Sequence, residues 1–169
     1  MKKRKQKTLT IMIGLPASGK STFVQKLYKE PRTIVVSSDE IRFKLLDFPK
    51  SGISFDSSIE PIVWERVRIK IQESLEDPNC DDCIFDACNL SRKNRQEFIE
   101  MAREHNARTR AFFLNGDPLF FHERNLKRNR QVPEGVLDRM IQNLEPPTHE
   151  EFDEIQTIWV SNNKKRRKV

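Results

Sequence analysis

Cysteine is scarce: three among 169 residues. That number is odd and small, so no disulfide framework holds the fold, and a reducing, cytoplasmic setting is the expectation. Histidine is equally rare, and His105, His122 and His149 form no metal-ligand pattern. Cys80 and Cys83 have a C-x-x-C spacing, but only Cys88 could add a further sulfur, so zinc or redox chemistry is not the reading. Long apolar runs are missing too. Nothing approaches the roughly 18 residues of a spanning helix, and the basic N-terminus has no apolar segment behind it, so neither membrane anchor nor secretory leader is expected. Glycine numbers only five, which gives each one weight.

Charge is abundant but unevenly placed. The chain has 31 Lys+Arg against 25 Asp+Glu, net +6. Five cations lie in residues 1–7 and five more in 164–168, so the body between carries 21 basic against 25 acidic residues, a net −4. A basic average therefore does not make the body a nucleic-acid-binding surface. Residues 1–7 and 161–169 read as basic tails around one domain, 8–160. The terminal KKRRKV resembles an import signal, but a short solvated tail explains it as well.

Within that domain, short β-rich runs alternate with helical periodicity. Strands are expected at 8–13, 33–37, 83–86, 108–114 and 155–160. Helices are expected at 20–29, 39–47, 92–105, 117–127 and 133–144, with a loop at 48–58. The clearest helix carries Ile59, Val63, Val67, Ile71 and Leu75 on one face, with Pro61 tolerated in its first turn. Phe112, Phe113, Phe120 and Phe121 are core candidates. Five strands alternating with helices predict an α/β domain, a five-stranded parallel sheet with helices on both faces.

Two of the five glycines fall in Gly14-Leu-Pro16-Ala17-Ser18-Gly19-Lys20-Ser21, a full G-x-x-x-x-G-K-[ST] phosphate-binding loop between a predicted strand and a predicted helix. Its glycines let backbone N–H groups turn toward phosphate oxygens, and the helix N-terminus adds a positive dipole. Lys20 is the expected partner of β/γ-phosphates and Ser21 of Mg²⁺. Thr22 completes the candidate nucleotide-binding set.

The loop does not choose the reaction. Ser37-Ser38-Asp39-Glu40-Ile41-Arg42 lies at the carboxyl end of the second strand, where open α/β sheets bind ligands. Asp39 there can accept a proton from an attacking hydroxyl, and Arg42 can hold the acceptor or the transferred phosphoryl. The plain alternative makes Asp39 a helix cap and Arg42 a solvated charge. Asp86 closes the third strand and could act on Mg²⁺, as could Asp39, or contact the acceptor. Asn89 reads as a loop-fixing residue. His122–Arg130 is a basic stretch with Arg124 and Arg128 four apart on a predicted helix. With Arg130 it reads as a mobile Arg lid near 122–132 closing over γ-phosphate.

These motifs, in this order, resemble the P-loop phosphotransferase domain of phage and bacterial 5′-polynucleotide kinases. The likeness runs from about Leu9 to Val160, through Gly14–Thr22, Ser37–Arg42, Phe85–Leu90 with Arg92–Ala102, Glu123–Val132 and Glu145–Asp153. The resemblance implies a P-loop kinase fold with strand order 2-3-1-4-5. It implies transfer of the ATP γ-phosphate to the 5′-OH of a DNA or RNA end, with Asp39 as base, Arg42 on the acceptor phosphate and the Arg124–Arg130 lid on the γ-phosphate. Cys88 departs from the Thr of the family's Asp-x-Thr-Asn pattern, which leaves the role of Asp86 open. The same family shape serves kinases of small hydroxylated or nucleoside-like metabolites. The remaining length holds no phosphatase or ligase domain, so an end-healing partner would be a separate chain.

Overall fold

The computed structural model describes residues 5–27, 30–46 and 57–161. The chain order is β1 (Thr8–Gly14), α1 (Lys20–Leu27), β2 (Thr33–Ser37), α2 (Ser38–Leu46), a 3-10 turn at Ser57–Ile59, α3 (Glu60–Glu76), β3 (Asp82–Asp86), α4 (Arg92–Glu104), β4 (Arg108–Gly116), α5 (Pro118–Leu126), α6 (Glu134–Gln142) and β5 (Glu154–Val160). The sheet is parallel throughout, in the order β2-β3-β1-β4-β5. The α/β P-loop kinase fold expected from the sequence is the fold observed. Most of the 48–58 loop, the far end of the N-terminal basic segment and the 164–168 cluster lie outside the described residues.

Alternation along β1 builds the two layers. Leu9, Ile11 and Ile13 face α3 and α4, packing with Val63, Val67, Ile71, Phe98, Ile99 and Ala102. Met12 points the other way, toward Val24 and Phe23 of α1, with Ile84 and Phe112. A third cluster under the carboxyl ends joins Leu15, Leu90 and Phe121 to Met140 and Ile141 of α6. Of the expected core phenylalanines only Phe120 remains half-buried.

Two local differences from the sequence reading have simple causes. Asp117 stands outside α5 as its cap, its carboxylate accepting Leu119 N–H at 2.9 Å. Lys7, counted above with the tail, is tied to the body: its Nζ donates to the carbonyls of Leu75 and Asp77, at 2.5 and 2.6 Å. A cation on the orphan carbonyls of a helix end is favourable by charge and by hydrogen bonding.

Candidate active site

All the chemistry-bearing loops leave the carboxyl ends of the parallel strands. After β1 the chain makes the phosphate loop, with Ala17 at φ 63° and Gly19 at φ 95°. A left-handed φ at Gly19 carries no Cβ penalty. At Gly14 the constraint is space: an added Cβ would lie 2.8 Å from Ser18 Oγ and 3.0 Å from the Leu114 carbonyl. Lys20 folds along the loop, its Nζ donating to the carbonyls of Gly14 and Leu15, both at 2.8 Å. Ser21, at the start of α1, donates its hydroxyl to Asp86 at 3.0 Å.

Asp86 is buried at the end of β3. Burial pushes its carboxyl above the usual range, and the charges of Asp39 and Glu40 push the same way, against the Ser21 hydroxyl and the Lys20 charge. The chain then turns through Asn89 at φ 50°. The Asn89 amide donates to the Met12 carbonyl at 2.9 Å, and Gly14 N–H donates to the Cys88 carbonyl at 3.1 Å. Asn89 therefore fixes this loop against β1, as its position suggested.

After β2, α2 starts at Ser38, so Asp39 sits inside the first turn rather than capping it. Its Oδ1 accepts Arg42 Nη1 at 2.5 Å. Arg42 is buried, not solvated, and Glu60 grips it from α3 through Nε at 2.6 Å and Nη2 at 3.0 Å. Burial alone would lower the Arg42 pKa. The hydrogen bond and charge of Glu60, with the charge of Asp39, outweigh burial and raise it. Asp39 Oδ2 has no partner among the described residues, so one carboxylate oxygen stays free while the other is fixed.

The basic stretch is built differently from the helical edge expected. α5 ends at Leu126, so Arg128 lies beyond the helix and does not share a face with Arg124. Buried Asn125 closes the following loop, donating to the Val132 carbonyl at 2.7 Å and accepting Val132 N–H at 2.9 Å. Arg124 lies over the Phe120 ring at 5.4 Å and reaches the phosphate loop, its Nη1 3.9 Å from where a Cβ on Gly19 would stand. Arg130 lies over Phe43 at 5.2 Å, with its Nη1 3.8 Å from Asp39 Oδ1.

One cleft of about 1760 Å³ gathers these groups. Pro16, Ala17, Gly19, Lys20, Ser21 and Thr22 line it, with Asp39, Arg42, Arg124, Arg128 and Arg130. Gly14 and Ser18 shape the loop from behind, and Asp86 reaches the cleft through Ser21. Lys127 of the expected lid lines it too, and sequence reasoning missed Glu60, Trp64 and Arg139, which also line it. It also missed Arg95, fully buried, whose guanidinium meets Glu151 at 3.0 and 3.1 Å and donates to the carbonyls of Asn89, Leu90 and Glu145. A charged residue at a core position of the α4 pattern was the available signal for Arg95. By contrast Cys83 is a core residue, its thiol pushed up to about 12 by burial.

Fold and cleft together define a nucleotide-binding P-loop kinase domain. The chain belongs to the family described as AAA domain (AAA_33), which matches residues 9–147. It is similar to the L-seryl-tRNA(Sec) kinase of Methanococcus maripaludis, 26% identical over 144 residues that cover 82% of this chain and 53% of that protein. The chain thus spans about half the length of this curated relative. Among solved structures it resembles a chain of the Pnkp1/Rnl/Hen1 RNA repair complex, with TM-score 0.64 and 23% identity over 85% of this chain and 45% of that one. A gluconokinase from Sinorhizobium meliloti gives TM-score 0.59 and 18% identity, covering 95% and 86%. At these identities the structural likenesses establish the fold.

Proposed function

We propose that the domain transfers the γ-phosphoryl group of ATP to the 5′-hydroxyl of a DNA or RNA end. One observation carries this reading: a single cleft holds the phosphate loop and, beside it, a carboxylate with one oxygen pinned and one free. The acceptor's hydroxyl proton passes to Asp39 Oδ2 as its oxygen bonds to Pγ. The bond from Pγ to the β,γ-bridging oxygen breaks, and ADP leaves. Arg42, gripped by Glu60, holds Asp39 in place, and its two N–H groups not engaged by Asp39 or Glu60 are the donors for the acceptor's phosphate. Lys20, Arg124, Arg128 and Arg130 oppose the charge on the transferred group.

The donors present fit Mg²⁺, a hard cation that takes one or two protein oxygens plus substrate phosphates. The Ser21 hydroxyl and the Asp86 carboxylate behind it would hold it. Bound there, the ion neutralises phosphate charge.

Lys127 and Arg139 add cations beyond those a triphosphate needs. The named acceptor of the curated relative is likewise carried on an RNA. In this reading 8–160 is the kinase domain and 122–132 its lid, and the reaction takes place in the cytoplasm. The test is γ-labelled ATP with Mg²⁺, a 5′-OH oligonucleotide, its 5′-phosphorylated counterpart and a panel of small alcohols. Label on the 5′-OH strand alone is expected. Efficient labelling of an alcohol with none on the strand would replace this reading by a small-metabolite kinase.

A further inference from the structure

Trp64 is the one aromatic side chain among the described residues lining the cleft. A tryptophan placed only for core packing would be covered, yet this ring is half-buried and open to the cleft. Its indole N–H makes no hydrogen bond among the described residues. The ring is also held firmly. It meets Phe85 edge-on at 6.3 Å and 87°, and Phe85 is fully buried and packed against the Phe98 ring at 4.6 Å with a 54° tilt. A platform fixed through the core loses little freedom when a ligand lies on it.

Its position matters as much as its exposure. Trp64 follows Glu60 by about one turn of α3, about 6 Å along the axis and on the same face. Glu60 grips Arg42, and Arg42 grips Asp39. The proton acceptor and the aromatic ring thus belong to one α2–α3 wall.

Resting on the acceptor reading above, we propose that Trp64 stacks on the base of the acceptor's 5′-terminal nucleotide. The acceptor class is then one bearing a nucleobase next to its hydroxyl, and a bare sugar or simple alcohol forgoes this contact. Stacking on an aromatic side chain tolerates any base, so the platform selects nucleotides without selecting sequence.

The chain has two tryptophans, so Trp159→Phe leaves Trp64 as sole reporter. Trp159 lies 64% exposed on edge strand β5, outside the cleft. With ADP saturating, a 5′-OH trinucleotide should quench Trp64 fluorescence, and the same strand with an abasic first residue should not. In phosphorylation assays Trp64→Ala should raise KM for the trinucleotide about 5- to 100-fold, with kcat within a few-fold, and Trp64→Phe should recover most of the loss. Trp64→Ala should leave KM for the abasic strand unchanged, which a merely structural role would not. Equal loss on both strands, no quenching, or quenching by ADP alone with weakened ADP binding in Trp64→Ala would overturn the assignment. Quenching by the trinucleotide without any phosphorylation would uphold the stacking site and refute the proposed reaction instead.

Discussion

Replacing Glu151 by Gln isolates the contact on which the third loop depends. Arg95 is fully buried and the Glu151 side chain is 7% exposed, so neither charge is solvated. The pair shares two hydrogen bonds, and the remaining Arg95 donors go to the Asn89, Leu90 and Glu145 carbonyls. Gln keeps the shape but leaves the guanidinium buried without its counter-charge, a loss of about 3–5 kcal/mol. For a chain of this size, that is a fall in melting temperature of about 6–20 °C. Arg95→Met should cost more, because those carbonyls then lose their donor as well. Urea and thermal unfolding at pH 7 measure both. Phosphoryl transfer by Glu151→Gln, assayed well below its melting point, should also slow, since the loop bearing Ala87–Leu90 loses its anchor. A loss below about 1 kcal/mol, far under the usual cost of breaking a buried pair, would refute the claim that this pair organises the loop.

Lys20→Ala removes the cation at the β/γ-phosphates and should cut turnover at least about 10²-fold, checked by steady-state kinetics on a folded variant. Asp86→Asn should separate stability from function. The folded carboxyl is raised above its unfolded value, so the folded state holds the proton longer and stability falls as pH rises from the ordinary aspartate range through the raised value. The ligand-free Asn variant should therefore melt higher than the parent at neutral pH, with the gain vanishing in acid, while Mg²⁺-dependent transfer drops steeply. Arg124→Ala should lower turnover strongly and leave the salt dependence of strand binding nearly unchanged, as measured by titration at several salt concentrations.

What was legible in the sequence is what local spacing encodes. The phosphate loop needs its glycines, Lys20 and Ser21 within eight residues, and the apolar alternation of β1 fixed two packed faces, so motif and layers were readable together. The strand order came from the family resemblance, since pairing of β1 with β3 and β4 is not written in any one segment. Side-chain partnerships between elements were not readable. Glu60 lies 18 residues from Arg42, and Glu151 lies 56 from Arg95. Only the folded sheet brings them together. The Arg124–Arg128 edge failed for a local reason: Asn125 spends its amide on Val132, which turns the chain out of the helix after Leu126.

The measurement nearest to the central claim compares ATP binding with single-turnover transfer in Asp39→Asn. The substitution keeps the side-chain size and an oxygen for Arg42 but removes the proton acceptor. ATP affinity should stay within a few-fold of the parent, while transfer to a saturating 5′-OH strand falls by about 10²–10⁴. Transfer at near-parent rate, or a collapse of ATP binding with transfer falling only in proportion, would contradict the assignment of Asp39 as the base in this cleft.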